Sequence, residues 1–401
     1  MRLSSPRSTR FPRSRVRAAA LVVLGLVATL PPGAGARAEQ EVELGLNESW
    51  LQQPEALDLA SELGATVLRF PGGWNEVERA GWSRFDRLYE AAGDRGIRLI
   101  WKEVNAPCFA RDGPCEAGVA TPPALEHLDD FKAHLRAAVR RYPELAAVEI
   151  GNEPNLPVFY GRDPRPAHYV RWLEAGYEAV KSVRPDLPVL FGGVAGTEDA
   201  SGGKIPYDTF LRRTHALGAA RFYDAIGFHP YPDPQDHPRY LAEIERKVAV
   251  LKSEMAQGGA GGRPIWITEV GLWTRAGGPR GLSEEAQAER TLAIYDELRR
   301  TPGIEAVVIH RLFDDPAASG PEAGWGLIGA DPRAPKPAYC RLGRARVGAL
   351  PELCLAGSGA PMPAPVQPTP GGEEGWPWFV VPLVVALLGG SIAVFWVKRR
   401  R

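Results

Sequence analysis

Two glutamates each follow a short apolar run. One stands in Ala147-Val148-Glu149-Ile150-Gly151-Asn152-Glu153-Pro154-Asn155, the other in Pro264-Ile265-Trp266-Ile267-Thr268-Glu269-Val270-Gly271. In both, a strand-like run delivers a carboxylate at its C-terminal end, where parallel-sheet proteins build their active sites. Two carboxyl groups brought face to face suit hydrolysis of a glycosidic bond. One must hold a proton for the leaving oxygen, and the other must stay ionised to attack or to activate water. Alone, Asn152-Glu153-Pro154 also fits a helix N-cap with proline in the first turn, and Glu269 also fits a surface loop.

The elements that must position these groups alternate along the chain. Strand candidates are Val42-Asn47, Thr66-Phe70, Leu99-Val104, Ala147-Asn152, Val189-Gly193, Ala225-His229, Ile265-Glu269 and Ala306-His310. Between them, Leu125, Leu128, Phe131, Leu135, Ala138 and Tyr142 recur at helical steps, as do Tyr169, Trp172, Gly176, Val180 and Val183. Ser283 is a good N-cap, with Glu284 and Glu285 after it and Arg299 and Arg300 before Pro302-Gly303. Eight such units predict an α/β fold of the (β/α)8 TIM-barrel kind. A doubly wound open sheet is the second reading, but no Gly-x-Gly-x-x-Gly follows the first strand.

In a barrel the strand ends converge on one rim. Strand one brings Asn47, Glu48 and Trp50 there, strand two Arg69 to Trp74, and strand three Lys102, Glu103 and Asn105. Strand six brings His229-Pro230-Tyr231, and strand eight His310 and Arg311. Trp50, Trp74, Trp273 and Trp325 each follow a strand end closely. An indole face can carry the apolar C–H face of a pyranose, while Asn, Arg and His meet its hydroxyls.

On these residues the chain resembles the clan A retaining glycoside hydrolases, whose cellulase-like and β-xylosidase/α-iduronidase-like families are (β/α)8 enzymes. The resemblance rests on Gly151-Asn152-Glu153-Pro154, on Glu269 in Trp266-Ile267-Thr268-Glu269, and on His229-Pro230-Tyr231, and covers residues 41 to 342. It implies that Glu153 is the acid/base and Glu269 the nucleophile of a double displacement. It implies that Asn152 binds the hydroxyl next to the reacting carbon, with Arg69 and Tyr231 holding Glu269. His229, Trp74, Trp273 and Trp325 complete the expected substrate-binding set. His310 and Arg311 depart from the aromatic residue common after strand eight in that group, and Trp325 is the expected substitute. Independently of the likeness, an arginine beside Glu269 would keep it ionised, whereas Glu153 needs an apolar or negative setting to keep its proton.

The ends place this body. Six arginines in the first seventeen residues precede the apolar stretch Ala18 to Leu30 and an Ala-x-Ala end at Ala38, so 1–38 is expected to be a signal peptide. Residues 39–354 form the catalytic domain, and 355–377 a Pro/Gly-rich linker. Residues 378–397 are an uncharged run long enough for one transmembrane helix, ahead of the basic tail 398–401. A sorting signal that is later removed is the other reading of that run. The expected protein is a single-pass, extracytoplasmic, membrane-held monomer.

The 48 basic residues equal the 48 acidic ones, so nothing favours nucleic acid as a partner. The four cysteines pair best as nearest neighbours, Cys108 with Cys115 and Cys340 with Cys354, since their spacing matches no common zinc pattern. No phosphate loop, nicotinamide fingerprint or His-x-x-x-His motif calls for a metal or organic cofactor. The expected partner is a glycan. A non-catalytic carbohydrate-binding protein on the same scaffold, and a metal-dependent barrel hydrolase, are the alternatives.

Overall fold

The computed structural model describes residues 41–47, 54–113, 115 and 120–356. The expected signal peptide, Glu48, Trp50, the transmembrane run with its basic tail, and the linker beyond residue 356 lie outside them. Among the described residues no helix is long and apolar enough to cross a membrane.

Eight parallel strands close in sequence order into a barrel: β1 Glu43–Asn47, β2 Val67–Pro71, β3 Arg98–Glu103, β4 Ala147–Asn152, β5 Val189–Ala195, β6 Ala225–His229, β7 Ile265–Val270 and β8 Ile304–Ile309. The helices are α1 Pro54–Glu62, α2 Trp74–Ala80, α3 Ser83–Gly93, α4 Leu128–Arg141, α5 Pro166–Lys181, α6 Tyr207–Ala216, α7 Tyr240–Gln257, α8 Glu284–Arg300, α9 Pro337–Val347 and α10 Glu352–Ala356. The expected (β/α)8 architecture is the one observed.

Successive strand residues face opposite sides of a sheet, and two separate cores follow from that. Leu68, Leu99, Trp101, Val148, Ile150, Phe191, Ile226, Ile267 and Val307 pack outward against the helices. Their alternates Val67, Ile100, Ala147, Leu190, Ala225, Trp266, Ala306 and Val308 fill the inside of the barrel as a second apolar cluster. One layer higher on the inner face, the same alternation places Arg69 above Val67, Lys102 above Ile100, Glu149 above Ala147 and Thr268 above Trp266. An apolar floor therefore carries a polar layer, and that layer is where chemistry can occur.

The helices keep their sequence signals. Ser283 Oγ accepts the Ala286 N–H at 3.2 Å and caps α8. The helix after β3 begins at Leu128, and Leu125, expected on its buried face, is half exposed in the preceding 3-10 turn. The cysteines form two disulfides, Cys108–Cys115 and Cys340–Cys354, so none of the four is available to zinc.

Candidate active site

Gly151 breaks the alternation of β4. Its φ of +93° lies in the region glycine favours, and a Cβ there would press on Trp172 and Tyr169. With the register reset, Asn152 and Glu153 both turn inward after Ile150 has faced the helices. Glu153 is the one non-glycine residue with positive φ (43°) among the described residues, and its N–H donates to the Gly193 carbonyl at 2.7 Å. Such conformations are costly and concentrate at functional positions. Asn155 then ties the loop to the next strand, bonding both backbone groups of Ala195 at 3.0 Å.

Arg69 is fully buried at the centre. Its Nε donates to Glu149 Oε2 at 2.5 Å, its Nη2 to Asn152 Oδ1 at 2.6 Å, and its Nη1 to both Asn47 Oδ1 at 3.2 Å and Glu269 Oε1. Tyr231 Oη donates to the other oxygen of Glu269 at 3.0 Å. Glu269 is thus held on both oxygens by the two residues expected to hold it.

The other carboxyl is held differently. His229 Nδ1 lies 3.0 Å from Glu153 Oε1, and His229 Nε2 lies 3.1 Å from Thr268 Oγ1. Thr268 Oγ1 in turn lies 2.9 Å from Glu149 Oε1, which also accepts the Gly193 N–H at 2.9 Å. Glu149 is bound to Arg69 and can only accept, so Thr268 spends its single proton there and must accept from His229 Nε2–H. Nδ1 of the neutral ring is then an acceptor, and the proton between it and Glu153 belongs to Glu153. With His229 neutral, as its burial requires, the hydrogen-bond chain makes Glu153 a carboxylic acid.

Electrostatics agree. Burial, and next the negative charge of Glu269, raise Glu153 well above the usual carboxyl range. Burial pushes Glu269 the same way, but His229, Arg69, His310 and Lys102 oppose it and hold Glu269 well below that range. His229 and His310 are themselves pushed down to about 3 by burial. At neutral pH the opposing cations are therefore Arg69 and Lys102.

One oxygen of Glu153, one of Glu269 and a ring nitrogen of His229 lie within 4.8 Å of one another. Such a trio has the spacing of a metal site, yet here Arg69 already neutralises one carboxylate and the other keeps its proton. What the geometry offers is an acid and an anion within 4.8 Å of each other, on one rim of a barrel.

No model of a known protein family matches the chain, and no curated protein matches it. Solved structures do. They include a family 39 glycoside hydrolase from the gut symbiont Bacteroides cellulosilyticus WH2 (21% identity, TM-score 0.59), over 76% of this chain and 63% of that one. A monomeric beta-xylosidase from Caulobacter crescentus CB15 aligns at 19% identity and TM-score 0.58, over 76% and 67%. The family 39 enzyme from Xanthomonas axonopodis pv. citri aligns at 17% and 0.60, over 78% and 67%. The neighbours are clan A glycoside hydrolases. The likeness is one of fold, and the chain spans less than two thirds of the first neighbour's length.

Against that fold, the expected site residues divide. Arg69, Asn152, Glu153, His229, Tyr231 and Glu269 share one hydrogen-bond network. Trp325 joins it through its ring, 5.4 Å from both Tyr231 and His310, with its Nε1–H on Glu322 Oε1 at 3.2 Å. Glu322 also accepts from Arg311 at 3.0 Å. An indole from the loop after β8 thus stands beside the histidine that occupies the strand-eight position.

Two tryptophans expected at the rim stay out of this network. Trp74 is buried behind β2 and β3, packed on Phe109, Phe131 and His134 at the start of α2, so its place is in the core. Trp273 is buried too, its backbone clamped on both sides by Gln235 at 2.8 and 2.9 Å.

Sequence reading assigned no role to Glu149, Thr268 or the Asn47–His310 contact, in which Asn47 Nδ2 donates to His310 Nδ1 at 2.8 Å. A charge in the middle of an apolar strand was the available signal for Glu149.

Proposed function

We propose that this protein is a retaining glycoside hydrolase, with Glu153 as acid/base and Glu269 as nucleophile. One observation carries the reading. An oxygen of each carboxyl lies within 4.8 Å of the other, which favours the ~5 Å arrangement of retaining enzymes over the ~6.5–9.5 Å that inverting enzymes need for an intervening water. The unequal settings of the two groups support it, because the chemistry needs one proton and one charge.

In the first step the Glu269 carboxylate attacks the anomeric carbon while Glu153 gives its proton to the departing glycosidic oxygen. The carbon–oxygen bond breaks and a glycosyl ester forms on Glu269. Glu153, now ionised, takes a proton from water, whose oxygen attacks the same carbon and releases Glu269. Arg69 and Tyr231 orient the nucleophile, Asn152 faces the neighbouring sugar hydroxyl, and Trp325 offers the sugar an apolar face. Trp273, where it meets substrate, does so in the loop after β7. The proton Glu153 gives is the one on Oε1, which turns from His229 Nδ1 to the departing oxygen when substrate is bound.

Two disulfides support folding in an oxidising compartment. A glycan outside the cytoplasm, reached by a domain tethered through 378–397, belongs to the same proposal.

The test is hydrolysis of an aryl glycoside panel by the wild type, Glu269→Ala and Glu269→Ala with azide. Turnover in the first, its loss in the second and its rescue in the third are expected, all unchanged by EDTA. Sugar binding without turnover would make the protein a binding module, and loss of activity with EDTA restored by zinc would make it a metallohydrolase.

A further inference from the structure

Lys102 is the charged group of the polar layer that the scheme above leaves without a role. It lies on β3 in register with Pro71 of β2 and Glu149 of β4. Registered neighbours in a parallel sheet share a face, and Glu149 faces inward to Arg69. Lys102 is buried, and Arg69, Glu269, Glu149 and Glu153 are the charges that act on it most strongly. Among the described residues its ammonium makes no hydrogen bond or ion pair.

Its neighbours are fully engaged. Arg69 makes four hydrogen bonds, and Glu149 accepts three. An ammonium has three donors, and Nζ of Lys102 is not among the fully buried atoms left without a partner, so it borders the open site rather than packed protein. Packing does not require it, because methionine fills the same length without charge. A buried cation kept free beside two catalytic carboxyls points to a ligand.

The charges say which ligand. Arg69 and Lys102 balance Glu149 and Glu269, with Glu153 protonated and both histidines neutral. The balance survives the reaction: as Glu269 becomes an ester, Glu153 becomes the second carboxylate. A third carboxylate, brought by an acidic sugar, would leave this layer with one negative charge in excess. At the rim, Arg311 is already on Glu322 at 3.0 Å and within 3.6 Å of Asp315.

We propose that Lys102 is a substrate-binding residue whose ammonium donates to hydroxyl groups of an uncharged sugar seated over Glu153 and Glu269, so that the site selects neutral glycosides over uronides. This rests on the hydrolase reading and narrows its substrate class.

The experiment compares wild type, Lys102→Met and Lys102→Gln on 4-nitrophenyl xyloside, glucoside, galactoside and mannoside, their single-deoxy forms, and the matching glucuronide and galacturonide. Melting temperatures are measured alongside. The wild type is expected to favour a neutral sugar over its uronide by about 100-fold or more in kcat/KM. Lys102→Met is expected to lose about 10- to 100-fold on that sugar, the scale of one hydrogen bond to a charged group. The loss is expected to vanish for the deoxy form that lacks the contacted hydroxyl, with a Tm no lower than wild type.

Equal kcat/KM in both proteins would overturn the assignment. So would a uronide preference that Lys102→Met removes, because Lys102 would then read a carboxylate. A lowered Tm with equal losses on every substrate would make Lys102 structural. Should the methionine variant not fold, Lys102→Gln carries the same comparison. No turnover by the wild type on any glycoside would sink the hydrolase reading itself, and this inference with it, before any variant is made.

Discussion

Replacing His229 with phenylalanine tests the proton placement that the hydrogen-bond chain dictates. The ring is fully buried and lies 3.0 Å from Glu153 Oε1, so phenylalanine keeps a flat ring there, one atom larger, and removes both nitrogens. If Glu153 donates to Nδ1, that bond favours the protonated acid, and its loss lowers the pKa of Glu153. A net hydrogen bond is worth about 1 kcal/mol, and one pKa unit is 1.36 kcal/mol, so the expected drop is ~0.7 unit.

The assay is the pH dependence of kcat/KM on an aryl glycoside. Activity rises at low pH as Glu269 ionises, below the usual carboxylate range, and falls at high pH as Glu153 loses its proton. Only the alkaline limb is expected to move, toward lower pH. Were His229 instead donating Nδ1–H to an ionised Glu153, its removal would shift that limb upward by about one to two units, the scale of a hydrogen bond to a charged group. An upward shift, or none, refutes the proton assignment.

Three further outcomes follow from the same geometry. Arg69→Met leaves Glu149 and Glu269 buried against one another without their shared cation; a loss of about 3–5 kcal/mol is expected by denaturant titration, with activity abolished. A Cβ on Gly193 would fall 2.1 Å from His229 Nε2, so Gly193→Ala is expected to displace the imidazole and cut kcat at least about tenfold, with unchanged circular dichroism. If residues 378–397 anchor an exported domain, carbonate washing of membranes is expected to leave the protein in the pellet and external protease to remove residues 39–354 from intact cells; a soluble protein, or one protected from protease, contradicts the placement.

The barrel was legible because buried parallel strands are short apolar runs with polar ends, and all eight runs appear within two residues of their expected starts. Glu153 and Glu269 were legible for the same reason: each terminates such a run. Less legible was anything set by the rotation of a loop or helix after its strand. Trp74 follows β2 as closely as a rim residue would, yet α2 starts there and turns the indole outward onto Phe131 and His134. Glu149 was visible as a charge inside an apolar strand, but its meaning depends on Arg69 and Thr268, 80 residues before and 119 after it. The tautomers of His229 and His310 emerge only once those distant partners are in place.

The most direct check is to trap the covalent intermediate. The protein is incubated with 2-deoxy-2-fluoroglycosyl fluorides of the sugars it turns over, digested, and mapped by mass spectrometry. A glycosyl adduct on the peptide that carries Glu269, absent in Glu269→Gln, is the expected result. An adduct on another residue, or release of product with inverted anomeric configuration, would contradict the account.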